Sequence, residues 1–123
     1  MNNLKISQVQ FTANQIPNLN SKSLEKNFNK ALKSKPHLIC TPECSNIITN
    51  DKNYLKKNAP YQNTCPVLKM AKNFAKKNKV NINLGSLLLK VKNKSKLVNR
   101  SFFIDNHGAV SYTHLTLPTT PYV

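Results

Sequence analysis

Leu38-Ile39-Cys40-Thr41-Pro42-Glu43 is the stretch from which the fold can be read. Together with His37, its apolar residues form a run too short for a helix and typical of a strand covered on both faces. Pro42 cannot donate to a sheet ladder and closes the strand, so Glu43 is presented at its C-terminal edge.

Working outward, Pro36 stops whatever precedes the strand. Upstream, Leu24, Phe28, Ala31 and Leu32 fall on one side of a helix, with the lysines mostly off it. Ser21 is the expected N-cap of this helix, and the stretch holding Pro17 is expected to be loop. Leu4 to Phe11 reads as a first strand. Downstream, Cys44 to Asn63 is polar and is expected to be a long loop with at most one helical turn. Val67, Met70, Ala71, Phe74 and Ala75 then give the clearest amphipathic pattern in the chain, with Pro66 allowed in its first turn. Val80 to Leu84, Leu87 to Val91 and Leu97 to Asp105 are strand-like, and Asn106-His107-Gly108 is a hairpin turn signal. Strands separated by helices and followed by a hairpin predict an α/β chain with a mixed sheet.

The 123 residues suffice for one domain, and the formal net charge is +15. That charge raises the alternative of a small basic nucleic-acid-binding module. Against it, Arg100 is the sole arginine, and the lysines are scattered from Lys5 to Lys96 without interleaved aromatics. Asn is as abundant as the basic residues together, so an A/T-rich coding bias explains the charge, and no specific nucleic-acid partner is expected. No apolar run is long enough to span a bilayer and no secretory pattern opens the chain, so a cytoplasmic protein without a membrane partner is expected. Cys40, Cys44 and Cys65 have no zinc-ligand spacing and read as free thiols; no metal or other cofactor is expected.

Several segments, taken in order, resemble the nitrilase superfamily of carbon–nitrogen hydrolases. Ile6 to Phe11 with Thr12 is similar to the family's opening strand. Leu38 to Glu43 is similar to its hydrophobic strand ending in Pro-Glu, and Leu84-Gly85-Ser86 fits its glycine-bearing strand end. Val98-Asn99-Arg100-Ser101-Phe102-Phe103-Ile104-Asp105, closed by Gly108, resembles the family's hairpin. The resemblance covers residues 4 to 108 and assigns residues 1–108 to a partial carbon–nitrogen hydrolase domain.

What the resemblance implies is an αββα four-layer sandwich and a Glu–Lys–Cys catalytic set acting on a small-molecule amide. The cysteine attacks the amide carbon, the glutamate moves protons and the lysine stabilises the oxyanion; the parent enzyme is expected to be a homo-oligomer. Glu43 is the position that matches the catalytic glutamate. A carboxylate at the end of a buried strand is expected to be partly desolvated, which favours proton transfer near neutral pH. No residue matches the lysine or the nucleophile. Cys44, next to Glu43, should point to the opposite face and is not expected to be the nucleophile. Ser45-Asn46-Ile47-Ile48, followed by Asp51, is most similar to the branch holding ω-amidases and deaminated glutathione amidases.

From Val110 the Lys/Asn composition gives way to Thr, Pro and Leu. Val110-Ser111-Tyr112-Thr113-His114-Leu115-Thr116-Leu117-Pro118-Thr119 resembles the translation of a transposase-type sequencing adapter, whose in-frame stop also accounts for Val123 as the last residue. Residues 109–123 are therefore expected to be a non-native, artefactual tail, His114 to have no function, and the fragment by itself to be inactive.

Overall fold

A computed structural model describes residues 3–115. Thr116 to Val123, the end of the expected tail, lie outside the described residues. The elements in chain order are β1 (Ile6–Gln8), α1 (Pro17–Leu32), β2 (Leu38–Thr41), α2 (Lys52–Asn58), a short 3-10 turn (Gln62–Thr64), α3 (Pro66–Asn78), β3 (Asn81–Leu89), β4 (Val98–Ile104) and β5 (Val110–Leu115). The strands form one five-stranded sheet in sequential order. β2 pairs in parallel with β1 and β3, whereas β3–β4 and β4–β5 are antiparallel. This is the mixed α/β sheet that the pattern of elements predicts.

α1 and α3 cover one face of the sheet. Leu24 and Phe28 meet Val67, Ala71 and Phe74 above Ile39, Ile82, Leu84, Phe102 and Ile104. The Phe28 and Phe74 rings pack edge to face, with centroids 5.2 Å apart. Burying each such large apolar side chain stabilises by about 1.5–3 kcal/mol, so this layer dominates the fold's stability. A smaller cluster of Cys44, Ile47, Leu55, Ala59, Leu88 and Leu97 lies under the segment after β2. The remaining sheet face is open and mixed in character: Ile6 and Phe103 are exposed, and Cys40, Asn83 and Ser101 are partly so.

The structure corrects several local expectations. α1 begins at Pro17, with Ile16 as an extended N-cap, so Ser21 lies inside the helix. Pro17 favours that start because it has no N–H to leave unpaired in the first turn. β1 is confined to Ile6–Gln8. Residues 44–63 contain α2, capped by Asp51 Oδ1 accepting from Tyr54 N–H at 3.0 Å. The two strand-like pieces around Gly85-Ser86 are one strand, β3, whose register shifts between Leu84 and Leu87. The bulge lets a single strand pair on two sides while changing which face its side chains meet.

The expected hairpin turn is present. Gly108 adopts φ +85°, and its N–H donates to the Asp105 carbonyl. Val110–Leu115 pairs with β4 as an edge strand whose middle residues, Ser111 to His114, are exposed.

Candidate active site

The site begins with the backbone that carries Glu43. β2 ends at Thr41, and the chain turns through Pro42, Glu43 and Cys44, the last at φ 51°. Cys44 has thus left the strand, and the alternation expected to separate it from Glu43 does not apply. Glu43 lies just past the C-terminal end of a parallel strand, the end at which open α/β sheets place their ligands.

This turn can form because of Gly85. A Cβ at Gly85 would stand 2.5 Å from the Thr41 carbonyl oxygen and 2.8 Å from that of Pro42. Only a glycine lets β3 approach the chain so closely just before Glu43. Gly85 N–H also donates to Thr41 Oγ1 at 3.2 Å.

Beyond Glu43 the chain is held from below. The Cys44 N–H donates to Ser86 Oγ at 2.8 Å, and the Ser45 N–H donates to the Ser86 carbonyl at 3.1 Å. The buried Ser45 hydroxyl donates to Thr41 Oγ1 at 3.1 Å. The Asn46 amide pairs with both backbone groups of Leu88, at 2.8 and 3.0 Å. Asn20 Nδ2 donates to the carbonyls of Asn46 (2.9 Å) and Asn14 (2.8 Å), while Asn20 Oδ1 accepts from Asn14 N–H. Ser45, Asn46, Asn20 and Ser86 are all buried, so the loop after Glu43 is a fully bonded part of the interior.

Glu43 itself is exposed. The desolvation expected for it is absent from this chain, because the turn projects its side chain beyond the sheet end where no described element covers it. The arrangement is a carboxylate on a rigid base. It can exchange a proton with a group brought against it.

Two of the three cysteines lie where burial disfavours the thiolate. Burial pushes the Cys65 thiol up, partly opposed by the N–H groups of Leu68 and Val67 and by the Asn46 side chain. Burial also raises Cys40. Reactive cysteines require the opposite shift, toward the thiolate. Cys44 is buried, with its N–H committed to Ser86.

The sequence places Glu43 just past a strand end, as the structure does, but does not disclose the framework beneath it. Asn46 and Asp51, which carry the likeness to the small-amide branch, serve the scaffold: Asn46 bonds the backbone of β3 and Asp51 caps α2. The available signal was Gly85, one of only 2 glycines in the chain. A glycine inside a strand pattern marks a bulge or a close backbone approach, and here it marks both.

No family model and no curated protein matches the chain. Solved structures do match. The NitN amidase from Nesterenkonia sp. AN1 superposes with a TM-score of 0.79 at 16% identity, covering 98% of this chain and 47% of the amidase. The NitFhit protein of C. elegans gives 0.78 at 21% identity, covering 96% and 30%. An N-terminal amidase solved with a Gln-Gly peptide gives 0.75 at 19% identity, covering 92% and 28%. The chain thus spans less than half the length of each of these proteins, and its fold is that of part of the nitrilase-type αββα sandwich.

Proposed function

We propose that this chain is the N-terminal part of a carbon–nitrogen hydrolase of the nitrilase superfamily, and that Glu43 is its catalytic carboxylate. One observation carries the reading. Glu43 stands at the C-terminal end of a parallel strand, on a backbone locked by Gly85, Ser86 and Asn46, in a fold shared with amidases. One solved form of the Nesterenkonia amidase is a glutamate-to-glutamine mutant in which acrylamide has added to the active-site cysteine. That pairing of a glutamate change with cysteine chemistry supports the glutamate and cysteine of a Glu–Lys–Cys scheme for the parent of this chain, the lysine resting on the family resemblance.

In that scheme Glu43 takes the proton as the cysteine attacks the amide carbon. The lysine holds the oxyanion, amine leaves to give a thioester, and water releases the acid. The lysine and cysteine belong to the parent beyond Gly108, and residues 109–123 are a non-native tail. The parent works in the cytoplasm, as a homo-oligomer, on a small amide of the ω-amidase or deaminated glutathione amidase type. The narrower substrate reading rests on the sequence from Ser45 to Asp51, which acts through the shape of the loop, since Asn46 and Asp51 are bonded to the scaffold.

The test is to recover the gene past Gly108 and assay the full enzyme on ω-amides and simple aliphatic amides. A lysine soon after the hairpin and a later cysteine at a strand end are expected. Glu43→Gln should lower kcat by about 10²–10⁴-fold, the usual contribution of general acid–base catalysis. The 123-residue chain itself should show no turnover, because groups that act as a unit fail together. An extension lacking both residues would remove the reading. Turnover by the short chain that Glu43→Gln abolishes would refute the truncation.

A further inference from the structure

The Cα of Glu43 joins two peptide units, and a buried serine hydroxyl holds each of them. Ser45 Oγ donates to the Pro42 carbonyl at 2.5 Å, and that carbonyl belongs to the Pro42–Glu43 unit. The hydroxyl shares its proton with Thr41 Oγ1 at 3.1 Å, so the nearer carbonyl is the stronger acceptor. Ser86 Oγ accepts from the Cys44 N–H at 2.8 Å, and that N–H belongs to the Glu43–Cys44 unit. Both serines are fully buried, whereas Glu43 is exposed.

A peptide unit is planar, so the orientations of these two units fix φ and ψ of Glu43 and with them the direction of its Cα–Cβ bond. Among the described residues none bonds the Glu43 carboxylate itself, and its aim therefore depends on the backbone. The local geometry is imposed by the surroundings. Cys44 has φ 51°, a left-handed conformation that a residue with a side chain keeps only where its neighbours hold it, and the Ser86 bond is to that residue's own N–H. In β3 the register shifts between Leu84 and Leu87, so Gly85 and Ser86 together stand opposite Ser101. Such a bulge re-aims side chains: Gly85 comes close to the Thr41 and Pro42 carbonyls while Ser86, the next residue, reaches the Cys44 N–H.

From these contacts we infer, resting on the reading of Glu43 as the catalytic carboxylate, that Ser45 and Ser86 are positioning residues for its proton transfer. Each is sealed from solvent and cannot itself meet a substrate; each acts by holding one of the two peptide units that direct the Glu43 side chain. Asn46 and Gly85 differ in what they hold. The Asn46 amide pairs with Leu88, and the Gly85 N–H donates to Thr41 Oγ1, so neither donates to nor accepts from the peptide units on either side of Glu43. Loss of either serine hydroxyl should therefore lower kcat more than it changes KM, since proton transfer depends on alignment. Both serines precede residue 109 and owe nothing to the tail.

The experiment has two arms. In the full 123-residue chain, N–H residual dipolar couplings read the two units separately, Glu43 reporting the Pro42–Glu43 unit and Cys44 the Glu43–Cys44 unit. Ser45→Ala should change the first coupling and Ser86→Ala the second, while Phe28→Leu, which loosens the core under the helices, should change neither. In the enzyme recovered past Gly108, each alanine variant should lower kcat by about 10–10²-fold, as small misplacements of a catalytic group do, with KM changed by less than about twofold. In a Glu43→Gln background the same changes should cost less than about twofold, because they act through the carboxylate. Ser45→Thr, which keeps the hydroxyl, should restore most of the rate. An equal fall in both backgrounds, or couplings that move no more than in Phe28→Leu, would overturn the positioning role alone. Full activity of Glu43→Gln would remove the reading of Glu43 and the positioning role with it. If one alanine variant does not fold, the other decides, since each serine holds a different unit.

Discussion

Asn46 and Leu88 are joined by two hydrogen bonds, Nδ2 donating to the Leu88 carbonyl at 2.8 Å and the Leu88 N–H donating to Oδ1 at 3.0 Å. The side chain of a loop residue here takes the place of a neighbouring strand. β2 has ended at Thr41, so β3 would otherwise leave both backbone groups of Leu88 buried and unpaired at this level. The loop that leaves Glu43 is thereby stitched to the sheet.

Asn46→Ala is expected to destabilise the fold by about 3 kcal/mol, because it strands a buried donor and a buried acceptor together. Asn46→Asp should also be damaging, since a carboxylate cannot donate to the Leu88 carbonyl. Chemical denaturation of the variants measures both; a loss under about 0.5 kcal/mol, the level of an ordinary surface change, would show that water replaces the amide.

Gly85→Ala should cost about 1–3 kcal/mol, as overpacking does, and more if the backbone cannot yield. The contact is with the carbonyls of Thr41 and Pro42, not with a flexible side-chain end. The expected structural result is a displacement of Pro42-Glu43, seen as amide shifts confined to residues 41–46 and 84–88. A neutral Gly85→Ala with those shifts absent would contradict the close approach.

Asp105 Oδ1 accepts from the His107 and Ala109 N–H groups, at 2.9 and 3.0 Å. The Ala109 and then the His107 backbone bonds hold its carboxyl below the usual carboxylate range. A lowered folded-state pKa means that the turn is stabilised above the unfolded value, about 3.9, and loses that stabilisation as pH falls through the folded one. Amide resonances of His107 and Ala109 should therefore move together below about pH 4, and Asp105→Asn should abolish the joint transition. The residue is only partly buried, so the effect on global stability should be small.

Phe103 is exposed on the open sheet face, and Ile6 is exposed on β1. With a net charge of +15 holding molecules apart, association should be weak at low salt. It should grow as screening shortens charge repulsion to about 8 Å at physiological ionic strength. Light scattering across a salt series checks this, and Phe103→Ser should reduce the rise. A monodisperse species at every salt concentration would mean that the partly polar character of the face suffices to keep it from pairing.

The sequence by itself determined the succession β1, α1, β2 and α3, the mixed sheet, the amphipathic face of α3, the turn at Gly108 and the placing of Glu43 at a strand end. These are local properties: side-chain periodicity, the missing N–H of proline and the backbone freedom of glycine act within a few residues. Tertiary structure decided what periodicity cannot encode. It joined the pieces on either side of Gly85 into one bulged strand, since only the approach of β2 makes that bulge necessary. It turned Asn20 and Asn46 from loop polarity into buried brackets, because a polar side chain goes inside only when backbone groups distant in sequence meet it there. It brought the Ser45 and Ser86 hydroxyls to the two peptide units that flank Glu43. It also left Glu43 in solvent, because desolvating a carboxylate takes atoms packed over it, and none of the described residues provides them.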